Sequence, residues 1–247
     1  MKGLLAVATA ACALATMADA AELKLIAGGS MTGPINQLSP EFERATGHRL
    51  SIHFDSTPNI IARVNSGTTF DVVVVPVDVF KDAAAKARFA PGPTVDIARV
   101  GYGVIVRAGA PKPDISTSDA FKKAMLATSS VAFLPASAAG AYITKVFERL
   151  GIAEEMKAKT KMQGSPAQIP QAVAKGEAEI GVFLANVLIA PGVELVGPFP
   201  GDLQQELVFT SAVAADAKEA ESAKALIDYL RSPAATAVIK AAGMTPS

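Results

Sequence analysis

An α/β protein of two similar lobes is the fold class this sequence predicts, and three observations predict it. Strand-like and helix-like segments alternate along most of the chain, the pattern of a parallel sheet covered by helices. The run Phe70–Val75 is too continuously apolar for a half-exposed strand and reads as a central parallel strand covered on both faces. Four strand-to-helix junctions share one design, a turn of small residues carrying serine. They are Gly28–Gly33, Ser56–Pro58, Pro135–Gly140 and Gly164–Pro166, two in each half of the chain.

In chain order, Lys2 gives a short positive start, Leu4 to Met17 is apolar, and Ala18-Asp19-Ala20 reads as a cleavage site. That is the anatomy of an export signal over residues 1–20, too short to span a bilayer. Cys12 is the only cysteine and falls inside it, with Thr9 where a lipoprotein signal wants a large aliphatic residue. The mature chain of 227 residues is therefore expected to be a soluble periplasmic protein with neither thiol nor disulfide. Its Lys plus Arg and Asp plus Glu fall from 23 to 22 each, so it stays neutral. Neutrality without basic clusters argues against nucleic acid or an anionic membrane as partner.

Leu23–Ala27 reads as a strand, and Met31–Thr46 as a helix with Pro34 near its start, Gly47 past its end and Pro40 as a break or bend. Leu50–Phe54 is a second strand. Thr57 reads as a cap with Pro58 behind it, opening a helix that stops near Ser66-Gly67. A second unit begins with strand Val100–Val106, then a helix around Ala120–Leu126 and a strand Val131–Leu134. The helix after the third serine turn places Tyr142, Val146, Phe147 and Leu150 inside, with Lys145, Glu148 and Arg149 outside. Ser165 and Pro166 repeat the cap pairing before a helix through Val173. Ile180–Leu184 is a strand, Val193–Pro200 crosses back, and Ala217–Arg231 and Pro233–Ala242 are helices. The lobes are expected at 21–100 plus 197–247, and at 101–196.

A helix start leaves unpaired N–H groups and a partial positive charge, so each serine turn is a place for an anion. Ligands of open α/β sheets sit beyond the carboxyl ends of strands, where all four turns would face one cleft. Hydrogen bonds to a charged group contribute about 1.5–3 kcal/mol each, and micromolar affinity requires about 8 kcal/mol. Five or six neutral donors on preset turns reach that after association costs. A planar carboxylate more often meets arginine, for which Arg63 and Arg107 are the candidates.

Leu23–Gly33, Phe42–Gly47, Gly176–Gly181 and Ala223–Pro233 resemble the corresponding motifs of periplasmic molybdate-binding proteins, and the likeness runs over the mature chain. The resemblance implies a two-lobed periplasmic binding fold, each lobe a mostly parallel sheet flanked by helices, with the ligand cleft between them. It implies a monomer without cofactor that delivers a small anion, molybdate or tungstate leading, to the permease of an ABC importer. By position, Ser30 with Gly29 and Met31 would donate from one turn and Ser56 with Thr57 from the next. Ser137, Ala138 and Ala139 would supply N–H groups from the other lobe, and Ser165–Gln168 a fourth contact. Asn186 would line the cleft or cap the next element. Two departures stand out: Pro58 lacks an N–H, and Leu184 replaces a tyrosine that the family uses to touch its ligand.

Other readings stay open at this point. An organic carboxylate or another oxyanion is the alternative ligand, and a membrane sensor the alternative partner. For an enzyme, Gly28–Thr32 misses the glycine of a nucleophile elbow, and two histidines away from strand ends make a serine triad a poor fit. There is no P-loop, dinucleotide fingerprint or zinc spacing. Asp55 is the one residue placed to act as acid or base, as in dehydratases that resemble this fold. His48 reads as a solvated turn residue and His53 as a satisfied, half-buried one.

Overall fold

The structure of the protein, a computed structural model, describes residues 20–247, and all of the expected export signal except Ala20 lies outside them. Strand β1 (Glu22–Gly28) passes through a short 3-10 turn, Gly29–Met31, into helix α1 (Thr32–Thr46). Helix α1 buries Ile35, Leu38 and Phe42 at helical spacing, in one cluster with Leu23 and Leu25 of β1. Pro40 does not break it. The carbonyl that Pro40 deprives of a partner is that of exposed Asn36, which water can satisfy. Past the helix His48 is 9% exposed, not solvated as expected, because its Nδ1 accepts from the Ala21 N–H at 3.2 Å.

Strand β2 (Arg49–Asp55) runs parallel to β1 with Asp55 opposite Gly28, so the first two serine turns leave the sheet side by side. The cap of α2 (Thr57–Asn65) is Ser56, not Thr57 as expected, and Ser56 makes no side-chain capping bond. The fully buried β3 (Val72–Pro76) lies parallel to β1 on one edge and antiparallel to β9 (Glu206–Val213) on the other. Helix α3 (Ala83–Lys86) follows, capped by Asp82.

Strand β4 (Val95–Arg107) is longer than its sequence reading and joins the two halves. Val95–Gly101 pairs with β9, whereas Tyr102–Val106 pairs with β7 (Ile180–Leu184) and Gly103–Arg107 with β8 (Val193–Pro198). At the change of partner the Gln204 side chain stands in for a strand, accepting from the Tyr102 N–H at 2.8 Å and donating to its carbonyl at 2.9 Å.

The second half adds α4 (Ser118–Ala127), β5 (Val131–Phe133), α5 (Ala138–Arg149), α6 (Ala153–Lys159), β6 (Thr160–Met162), α7 (Gln168–Ala174) and α8 (Ala185–Leu188). Helices α9 (Ala220–Leu230) and α10 (Pro233–Ala241) return to the first half, and β10 (Thr245–Pro246) pairs with β4. The main sheet order is β2-β1-β3-β9-β4-β7-β5-β6. Its outer three strands at each end are mutually parallel, and the strands that cross between halves are antiparallel. No helix among the described residues is long and apolar enough to cross a membrane.

Candidate ligand cleft

The carboxyl ends of β1, β2, β5 and β7 converge on one narrow, half-open cavity of about 20 Å³. Gly28–Ser30 and Asp55–Thr57 line it from the first half, and Ser137–Ala139, Pro166 and Leu184 from the second. All four serine turns therefore contribute to one wall or another. The space is near the room of a single water, so any larger ligand requires the walls to part.

The donors differ in how free they are. Ser30 is 8% exposed, and no hydrogen bond ties up its hydroxyl among the described residues. The Ser56 hydroxyl is likewise unengaged by its own helix. Thr57 Oγ1 accepts the Ala138 N–H across the cleft at 3.2 Å and keeps its own proton to give. Ser137 is committed to its helix: Oγ accepts from the Gly140 N–H at 2.9 Å and donates to the Leu134 carbonyl at 2.8 Å. With Ala138 and Gly140 so satisfied, the Ala139 N–H is the one left open in the first turn of α5.

Other expected residues fall elsewhere. Ser165 and Gln168 do not line the cavity, and the residue before α7 is Ala167, which makes no side-chain cap bond. Gln168 Oε1 instead accepts from the N–H groups of Gly164 and Ser165 at 2.8 and 3.1 Å, closing the turn on itself and leaving Pro166 to face the cleft. Met31 is buried in the core at 1% exposure, so only its main chain is near the site. Asn186, on α8, does not line the cavity as expected; it lines a neighbouring outer groove and donates to the Ser30 carbonyl at 2.7 Å.

Among the described residues Asp55 is the one ionisable side chain lining the cavity; Arg63 and Arg107 do not reach it. Burial pushes the Asp55 carboxyl up, but hydrogen bonds from Asn59, the Ser56 N–H and His53 outweigh it and hold the group below the ordinary carboxylate value. His53 Nε2 lies 3.3 Å from Asp55 Oδ2. Sequence reasoning did not anticipate the apolar lining from β9, where Leu207 and Phe209 join Leu184 and Phe183 around the cavity. The β-branched and aromatic residues Val208, Phe209, Thr210 and Val213 were the one available signal for this strand.

A cleft of this kind on this fold has relatives. The aconitate isomerase of a Pseudomonas species is 32% identical over 91% of this chain and 87% of its own. The molybdate-binding protein ModA of Azotobacter vinelandii is 31% identical over 97% of this chain and 96% of its own. The solved periplasmic molybdate-binding protein of Azotobacter vinelandii superposes with a TM-score of 0.75 at 21% identity, covering 90% of this chain and 98% of that one. The family model described as bacterial extracellular solute-binding protein matches residues 23–245, and the chain belongs to that family, among relatives that include the periplasmic molybdate binders.

Proposed function

We propose that this solute-binding protein is exported to the periplasm and holds a small oxyanion, molybdate or tungstate first, for the permease of an ABC importer. The observation that carries this reading is a cavity whose free polar groups are neutral donors: the hydroxyls of Ser30, Ser56 and Thr57 and the N–H of Ala139. A fully ionised oxyanion asks for donors and offers no proton in return, and helix starts at α2 and α5 add favourable potential. The lobes in this reading are 21–100 plus 197–247, and 101–196. They hinge where β4 changes partners, because donors from both must reach one anion.

The experiment is a thermal-shift screen of the purified mature chain with molybdate, tungstate, sulfate and a panel of organic acids. A ligand at a hundred times its dissociation constant adds about 2.7 kcal/mol of stability. A rise with molybdate or tungstate supports the proposal. No rise with any inorganic oxyanion, beside a rise with a carboxylate, sinks it.

A second reading, an organic anion, is favoured by one observation: Leu184, Leu207, Phe183 and Phe209 make part of the lining apolar, a match for a carbon skeleton. The relative named for aconitate points the same way. Binding is proposed ahead of catalysis because Asp55 spends both oxygens on Ser56, Asn59 and His53, and a carboxyl held low is a weak base. Incubation with cis- and trans-aconitate, followed by chromatography, tests this directly; interconversion by the protein would move it to the enzymes.

A further inference from the structure

Asn186 bridges the two halves beside the cavity, where it is not needed for ligand contact. It follows β7 and opens α8, yet its Nδ2 donates at 2.7 Å to the carbonyl of Ser30, 156 positions earlier in the chain. Its Oδ1 is buried and has no partner among the described residues. Beside this contact Gly29 lies so near Pro166 that a Cβ at position 29 would meet the proline ring at 3.2 Å. The two contacts lie between the narrow cavity and an outer groove of about 300 Å³ lined by Asn186 itself with Pro34, Val187, Ile189 and Ala242. Gly29, Ser30 and Pro166 are the residues that both spaces share.

We propose that Asn186 is the closure latch of the cleft and the positioning residue of the Ser30 turn. When the halves meet, its amide pins the Ser30 carbonyl. The planar peptide bond then fixes the direction of the Met31 N–H as well. The same contact shuts the way between the cavity and the outer groove. A latch of this chemistry is reversible by construction, because one hydrogen bond biases closure without locking it. Closure is thus populated without ligand and completed by it. The latch's role in ligand capture rests on the oxyanion-cleft reading; the latch itself is testable without any ligand.

Because the one cysteine lies at position 12, in the expected signal, spin labels can be placed on the mature chain at Asn36→Cys and Lys145→Cys, both exposed and one in each half. Electron–electron distance measurements without ligand are then compared for the parent, Asn186→Ala and Asn186→Asp. The parent is expected to show a closed population at pH 7.5 and pH 3. Asn186→Ala should lose most of it at both. Asn186→Asp should be open at pH 7.5, where a carboxylate faces the Ser30 carbonyl, and regain closure at pH 3, where the acid is protonated and can donate. That recovery also shows that the variant is folded. Identical distance distributions in all three proteins at both pH values overturn the proposal. In a second arm, if molybdate or tungstate binds the parent, Asn186→Ala should release it about tenfold faster, one hydrogen bond's worth, with association little changed. Equal release rates count against the latch. If neither anion binds, the oxyanion reading falls while the distance measurements still decide the latch.

Discussion

The serine turns of the two halves look alike in sequence and do different work in the fold. In the first half, Ser30, Ser56 and Thr57 keep hydroxyl protons free at the cavity wall. In the second, Ser137 is closed into its own helix by two hydrogen bonds and Ser165 sits outside the cavity. The first half thus supplies side-chain donors. The second supplies a main-chain N–H at Ala139, a latch at Asn186 and an apolar surface at Leu184 and Phe183. In the proposed reading, therefore, the first half supplies the side-chain donors for charge, and the second adds a main-chain N–H and part of the apolar lining that reads shape. Substitutions in the two halves should separate affinity from stability.

The largest expected effect is on stability, in the second half. A Cβ at Gly140 would lie 1.9 Å from the Leu134 carbonyl oxygen, a backbone atom that cannot yield without moving β5 or α5. Gly140→Ala should cost about 3 kcal/mol in urea unfolding. At Gly33, in α1 of the first half, nothing lies within 4 Å of the same added carbon. There Gly33→Ala should be neutral or stabilise by about 0.5–1 kcal/mol through helix propensity. Equal midpoints for the two variants would mean that the third serine turn is not held as tightly as its packing implies.

Next comes a crossed pair. Ser30→Ala should weaken molybdate, or whichever anion the screen identifies, by about 1.5–3 kcal/mol in calorimetric titration while leaving the melting temperature nearly unchanged. Ser137→Ala should do the reverse, costing about 0.5–2 kcal/mol of stability as a lost cap with a smaller change in affinity. If both variants lose affinity alike, the two halves share the hydroxyl work after all.

That division was only partly legible in the sequence. Local periodicity and punctuation made β1, β2, α5 and β7 readable, and the last has the bounds its residues implied. The expectation that the serine turns face one cleft followed from strand direction alone. What the sequence hid were long-range partners. Strand β9 has no glycine or proline at its ends, and its Thr210 and Ser211 disguise a core position; Ser211 is fully buried and donates to the Val73 carbonyl at 2.7 Å. Asp71 is 4% exposed and accepts N–H groups from Lys24, Lys218 and Glu219, residues on two separate segments. Whether a cap-like serine caps or donates is decided by such partners too. Thr57 is freed for Ala138 only because Ser56 takes the cap position.

A smaller effect sharpens the reading of shape. Leu184 is 1% exposed and lies in the cavity wall. Leu184→Tyr would bring a hydroxyl to that wall, so it should favour molybdate by about 1 kcal/mol and crowd out a larger organic anion. Titrating both ligand classes into parent and variant checks it. A variant that binds the organic anion better and molybdate no better would overturn Leu184 as a reader of ligand shape.

The smallest expected effect is pH-dependent and belongs to the first half. Asp55 is buried enough to raise its pKa, yet the bonds from Asn59, the Ser56 N–H and His53 bring it below the ordinary carboxylate value. A folded-state pKa below the unfolded one means that the ionised group stabilises the fold above the unfolded pKa, and that this is lost as pH falls through the folded value. Asn59→Ala removes the 2.7 Å bond from Nδ2 to Asp55 Oδ1 and should raise that pKa toward ordinary. At pH 7 the variant should be less stable by about 0.5 kcal/mol, for a bond made near solvent. The gap should close as the pH drops below the ordinary carboxylate range, since neither protein then holds the charge. Urea midpoints measured from pH 7 down to pH 3 decide it. A gap that stays constant with pH would show that Asn59 acts through packing or helix propensity, and that Asp55 owes its low pKa to Ser56 and His53.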